Sequence, residues 1–136
     1  MDFFKSMMVA ASGLRAQSGR MRVIAENIAN ADSTAKTPDG DPYRRRIPTF
    51  EARLDQELEA TTVRLGKVSL DKSDFNQRFD PSHPAADANG YVKMPNVNRL
   101  VETVDMGEAQ RSYQANLNVI RATRSMLQRT VDILRG

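Results

Sequence analysis

Large apolar residues recur every seven positions at both ends of this chain and nowhere between. The first ladder is Met7, Leu14, Met21 and Ile28; the second is Met106, Tyr113, Ile120, Leu127 and Leu134. A period of seven places such side chains along one seam of an α-helix. Ile24 and Leu117 widen the two seams. A helical seam needs a partner, so the ends of the chain pair with each other or with neighbouring copies. That points to a protein whose task is assembly.

The 136 residues allow about one domain. Twenty basic against 17 acidic side chains leave a net charge of +3, too mild by itself to indicate nucleic acid. Without cysteine the chain has no disulfide and no thiolate metal site. The first eleven residues contain Asp2 and Lys5 and lack the basic start and longer apolar core of a cleaved leader. No run is long enough for a membrane span. Export, if it occurs, is expected to read no cleaved leader.

Periodicity predicts one helix over residues 3 to about 30, roughly 40 Å long. Asn30, Ala31, Asp32 and Ser33, then Pro38-Asp39-Gly40-Asp41-Pro42, end it. Residues 43 to about 95 lose the helical period. Tyr43–Ile47 and Thr61–Leu70 read as strands, with Gly66 a turn or bulge, while Glu51–Ala60 is a candidate short helix. Asp80-Pro81-Ser82-His83-Pro84 and Asn89-Gly90 are turn sequences. Pro95 precedes a second long helix, capped by Asn96 or Asn98 and running almost to Gly136. The expected class is α+β: two long terminal helices in an antiparallel coiled coil with a small β-rich insert. The expected divisions are 1–35, 36–95 and 96–136.

The two helices differ in texture. The first is rich in small residues, and Gly13 and Gly19 cost it about 1 kcal/mol each relative to Ala. It would draw its stability from packing. The second carries apolar residues on more than one face, and an uncovered apolar stripe usually meets a partner. The insert has little core material and would lean on the helices or on neighbours.

Little in the chain suggests a reaction. His83 is the only histidine; a single imidazole without a thiolate reads as part of a surface loop stiffened by Pro81 and Pro84 rather than a metal site. No pair of acid–base groups is nominated. Arg44-Arg45-Arg46 lacks the interleaved aromatics of a single-strand nucleic-acid groove and reads as a solvated or subunit-facing strand. The charges of the second helix, Glu102 among them, read as flanks of a packed face. Gln17, Asn27 and Asn30 beside the first ladder, and Gln110, Gln114 and Asn116 beside the second, allow two readings. They either fix register at packed positions or are simply exposed.

Ser12-Gly13-Leu14-Arg15-Ala16-Gln17, followed by Ile24-Ala25-Glu26-Asn27-Ile28-Ala29-Asn30, resembles the N-terminal motif of bacterial flagellar rod and hook proteins. The run Asn30 to Thr34, the link Pro38 to Arg46, the turns from Asp80 to Val92, Pro95-Asn96-Val97-Asn98 and Arg111-Ser112-Tyr113-Gln114-Ala115-Asn116 resemble the proximal-rod type within that family. The resemblance covers nearly the whole chain.

It implies a structural, non-catalytic subunit without cofactors. Such a subunit leaves the cytoplasm by the flagellar type III apparatus and polymerises in the periplasm into the torque-transmitting drive shaft of the basal body. Implied partners are copies of itself, sister proximal-rod subunits of the FlgB and FlgF types, distal-rod subunits of the FlgG type, the FliE-type adaptor at the export gate, and the export apparatus. Nucleic acid is not among them. The family also implies that the coiled coil faces the rod axis and the insert faces outward. Expected packing residues are Ser12, Gly13, Leu14, Gln17, Met21, Ile24, Asn27, Ile28 and Asn30, then Tyr113, Gln114, Asn116, Leu117, Ile120 and Leu127. Tyr43, Arg44, Arg45 and Arg46 are candidate inter-subunit contacts. The alternatives are another axial protein, such as a sister proximal-rod subunit, and a small basic coiled-coil regulator that binds nucleic acid.

Overall fold

Both ends of the chain are helical. α1 (Phe3–Ala29) opens on Asp2, whose carboxylate accepts the Lys5 N–H at 3.0 Å. α2 (Arg99–Arg135) opens on Asn98, whose Oδ1 accepts the N–H groups of Leu100 and Val101 at 3.0 and 3.3 Å. Of the two candidate caps, Asn98 is therefore the one used. α1 ends where Asn30 turns its amide back onto the Glu26 carbonyl at 2.9 Å. The computed structural model describes residues 2–136.

Six short strands lie between the helices: β1 (Arg46–Ile47), β2 (Phe50–Asp55), β3 (Ala60–Leu65), β4 (Ser69–Leu70), β5 (Asn76–Phe79) and β6 (Tyr91–Met94). They form three separate antiparallel ribbons, β1 with β4, β2 with β3 and β5 with β6. The α+β class therefore holds. The strand expected at Tyr43–Ile47 shrinks to its last two residues, because the preceding N–H groups are taken elsewhere. Tyr43 N–H goes to the Ser33 carbonyl at 2.9 Å and Arg45 N–H to the Asn96 side chain at 2.8 Å.

The short helix considered at Glu51–Ala60 is instead β2 and a turn. The Asp55 carboxylate accepts the N–H groups of Glu57 and Leu58 at 3.1 and 3.2 Å, and Glu59 adopts a φ of 50°. Across the ribbon Glu51 pairs with Arg64 at 2.8 Å. Cross-strand pairing thus overrides a weak local helical preference.

The chain divides into two compact units. The first comprises Met1–Met21, Pro48–Lys67 and Gly107–Gly136; the second comprises Arg22–Ile47 and Val68–Met106. Each unit takes a piece of both helices and part of the middle.

In the first unit the helical segments run in opposite directions. Gly13 lies against Asn116, and Arg20 is 3.9 Å from Glu108. The β2–β3 ribbon sits on α1, where the Ser12 hydroxyl accepts the Val63 N–H at 3.2 Å and Gly19 faces Leu65. In the second unit Ala85, Val92 and Met94 form a small core, with Ala35 and Ala86 packed against it. Gly90 closes the β5–β6 turn region at a φ of 84°, which suits glycine. A Cβ there would also strike Phe79.

The most buried line of α2 is not its large apolar ladder. Glu102, Ala109 and Thr123 are buried and Asn116 half-buried, again seven apart. On α1 the most buried positions include Ala10, Gly13, Ala16, Ile24 and Asn27. The expected ladders flank these lines. Met7, Leu14, Met21, Ile28, Met106, Tyr113 and Ile120 are half-buried, whereas Leu127 and Leu134 are 42% and 82% exposed. Small and polar residues make up most of the centre, while the large apolar side chains of the two ladders are displaced to its flanks.

Candidate functional site

In the second unit a polar cluster ties α1, the segment Tyr43–Arg46 and the first turn of α2 together. Its hub is Asn27, which is fully buried. Asn27 Oδ1 accepts the Tyr43 hydroxyl at 2.8 Å and the Arg46 N–H at 2.9 Å. Asn27 Nδ2 donates to the Arg46 carbonyl at 2.8 Å and to Glu102 Oε2 at 3.1 Å. Both acceptor sites and both donors of the amide are thereby used.

Glu102 is only 1% exposed, and its second oxygen accepts Arg45 Nε. Arg45 also reaches Asp71 at 3.4 Å and lies 3.9 Å from Asp105. The Asn96 side chain accepts the Arg45 N–H and donates to the carbonyls of Asp71 and Ser73 at 3.0 and 3.2 Å. Arg44 donates to the same two carbonyls at 2.6 and 2.9 Å, and its guanidinium stands 4.1 Å from the centre of the Phe75 ring. Arg46 pairs with Glu26 at 3.1 Å.

The electrostatics follow from these contacts. Burial raises the Tyr43 hydroxyl above its ordinary value; Arg46 opposes this, and Glu26 and Glu102 add to it. Burial acts to lower Arg45, but hydrogen bonds and charge from Glu102 and Asp71 outweigh it, so its value rises and the guanidinium stays charged. The backbone N–H and hydroxyl of Ser73 hold Asp71 below the ordinary carboxylate value; desolvation opposes this and Arg45 reinforces it. A buried ion pair is favourable only when its remaining polar atoms are satisfied, and this cluster meets that condition. It is a clamp joining distant chain segments.

Two sequence readings are corrected here. Glu102 is not a charged flank of α2 but one of the chain's most buried side chains. The Arg44–Arg46 run is not a simple solvated strand, since each guanidinium is engaged within the chain. The signal for Glu102 was present: it lies seven residues before Ala109 and fourteen before Asn116, on the line of small and polar residues rather than the large apolar one.

Two family models match this chain: "flagella basal body rod protein" over residues 7–35 and "flagellar basal body rod FlgEFG protein C-terminal" over residues 88–133. The chain is 53% identical to the flagellar basal-body rod protein FlgC of Agrobacterium fabrum, across 94% of this chain and 92% of the relative. It is 41% identical to FlgC of Borreliella burgdorferi across the whole of both chains, and 38% identical to FlgC of Bacillus subtilis across 98% and 99%. The chain belongs to the FlgC family of flagellar basal-body rod proteins. The two matched regions of this rod family contain α1 from Met7 onward and nearly all of α2.

The structure distributes the motif residues over several tasks. Ser12 donates to the Val9 carbonyl and holds the β2–β3 ribbon. Gly13 gives room to the Asn116 side chain, which a Cβ would meet at 2.6–2.9 Å. Ile24 is buried, and Asn30 finishes α1. Gln17 is half-buried, and its Oε1 has no hydrogen-bond partner among the described residues. Tyr113, Asn116, Leu117 and Ile120 are half-buried, while Gln114 is exposed and bonded to Asn118. His83 ties its loop down: Nδ1 accepts the Ala85 N–H at 3.0 Å, and Nε2 lies 3.2 Å from the Thr34 hydroxyl.

Proposed function

We propose that this chain is a structural subunit of the proximal rod of the bacterial flagellar basal body. It is exported by the flagellar type III apparatus and polymerised in the periplasm as part of the hollow, torque-transmitting shaft. The observation that carries this reading is the nearly end-to-end likeness to FlgC rod proteins. Apolar residues along α2 support it: Leu100, Val104, Ile133 and Leu134 are all exposed in the single chain. A surface of that kind suits a head-to-tail packing that does not close on itself, which is what a filament needs.

In the assembled rod the stretches 1–35 and 96–136 contribute α1 and α2 to an antiparallel coiled coil facing the axis, and 36–95 faces outward. Leu14, Met21, Ile28, Tyr113, Ile120 and Leu127 pack within and between subunits. Tyr43–Arg46 serve first as an internal clamp and present their remaining surface to neighbours. Partners are other copies, rod subunits of the FlgB, FlgF and FlgG types, and the FliE-type adaptor. No step of this function is catalytic. Because the Arg44–Arg46 charges are taken up internally, the nucleic-acid reading loses its basic patch.

Deleting the gene tests the reading. The expected result is loss of motility, with basal bodies arrested before the distal rod and restored by the native gene but not by Leu14→Pro, since proline inside a helix costs about 3 kcal/mol or more. Normal flagella in the deletion strain would sink it.

A further inference from the structure

The seven-residue repeat that makes the terminal helices pair also leaves their alignment ambiguous. In the first unit Gly13 faces Asn116 and Arg20 faces Glu108. That register sets Met7 near the level of Ile120 and Leu14 near that of Tyr113. A shift of one heptad would set Met7 near Leu127 and Leu14 near Ile120. Apolar rungs would still meet apolar rungs, and Leu127, 42% exposed in the observed register, would gain cover. By apolar matching alone the shifted alignment is the better one. Something other than the apolar seam selects the alignment that is seen.

The second unit contains groups able to do so. A seven-residue shift displaces one helix along the other by about 10 Å, far beyond the reach of the 3.1 Å bond between Asn27 and Glu102. Asn27 would lose the acceptor for one amide proton. The buried Glu102 carboxylate would leave Arg45, whose neighbour Arg46 is held to α1 by bonds from both its N–H and its carbonyl to Asn27. Separating a buried charge from its partner is far more unfavourable than leaving one leucine half-exposed. A single buried polar group selects register in helix pairs by the same logic.

We infer that Asn27, Arg45 and Glu102 are positioning residues that set the register in which α1 and α2 pair. In doing so they leave Leu127, toward the apolar end of α2, uncovered. In the rod reading, on which this last consequence alone rests, that end is then available to a second copy of the chain.

The chain has no cysteine, so introduced pairs report alignment cleanly. Arg20 and Glu108 meet only at the tips of long side chains, so a short bismaleimide, rather than a direct disulfide, bridges R20C/E108C in the observed register and R20C/A115C in the shifted one. In the otherwise native chain the first pair is cross-linked and the second forms only a trace. R45M/E102L replaces the ion pair with apolar side chains. In that background the R20C/A115C bridge is expected to rise roughly tenfold while helix content is unchanged. Adding Leu127→Gln, which removes the benefit of the shift, is expected to restore the native pattern. A cluster that only stabilises the fold would lower the melting temperature and leave the pattern of bridges as it was; that outcome overturns the inference. Should R45M/E102L lose its helical signal, Glu102→Gln carries the same two bridges, with the same two readings.

Discussion

Asn27 shows how much one side chain can organise. It is an amide at a fully buried position, a placement that is unfavourable unless each polar atom finds a partner. Here the partners come from two other chain segments, Tyr43–Arg46 and the first turn of α2, so the same bonds that satisfy the amide define the local fold. Asn27→Ala should lower stability by about 2–4 kcal/mol, read as a lower urea midpoint, because the Tyr43 hydroxyl and one Glu102 oxygen lose their partner. Asp71 makes a pH prediction. Its folded value lies below the ordinary 3.8, chiefly because Ser73 hydrogen-bonds the carboxylate. The stability it contributes is therefore present above 3.8 and is lost as pH falls through the depressed folded value. Asp71→Asn should be less stable than the native chain near neutrality, and the gap should close on acidification. A gap that is constant with pH would show that the charge of Asp71 is not the cause. Neither role was legible in the sequence, where Asn27 was as consistent with exposure as with burial and Asp71 carried no signal.

At the scale of elements, the helices were the most legible part of the chain and their contact surface the least. Periodicity located α1 and α2 to within a few residues, because an uninterrupted seven-residue repeat has no other regular solution. It pointed to the large residues as the centre of the pairing, whereas the structure puts Gly13, Asn27, Glu102, Ala109 and Thr123 there. The low helix propensity of Gly13 thus has a steric purpose. Gly13→Ala should gain about 1 kcal/mol of propensity but must displace the Asn116 side chain, which is bonded to the Ser112 carbonyl at 3.0 Å. The expected result is no net gain in the native background and a gain of about 1 kcal/mol in Asn116→Ala, measured as a double-mutant cycle in urea. Additive effects would mean that the close approach does not constrain the site. The ribbons were less legible than the helices. Their strands have two to six residues, and partners such as Phe50 and Leu65 are set by pairing across a turn rather than by local preference.

At the scale of the whole molecule, the exposed end of α2 separates folding from assembly. Leu134 is 82% exposed, so Leu134→Ser should leave the melting temperature of the isolated chain nearly unchanged, within about 0.5 kcal/mol. In a complementation assay the same variant should reduce motility, since a face that contributes little within one chain contributes through its neighbours. Full motility would exclude that end of α2 from the rod contacts.

The amino-acid sequence determined the helices, the α+β class, the turns and the family, because each rests on local periodicity, turn chemistry or an ordered string of residues. Only the tertiary structure decided which heptad line is buried, which asparagine caps α2, and that Arg45 and Glu102 meet across 57 residues of chain. Those outcomes depend on which distant group satisfies a buried polar atom. A repeat of seven is the same after every shift of seven, and carries no record of that choice.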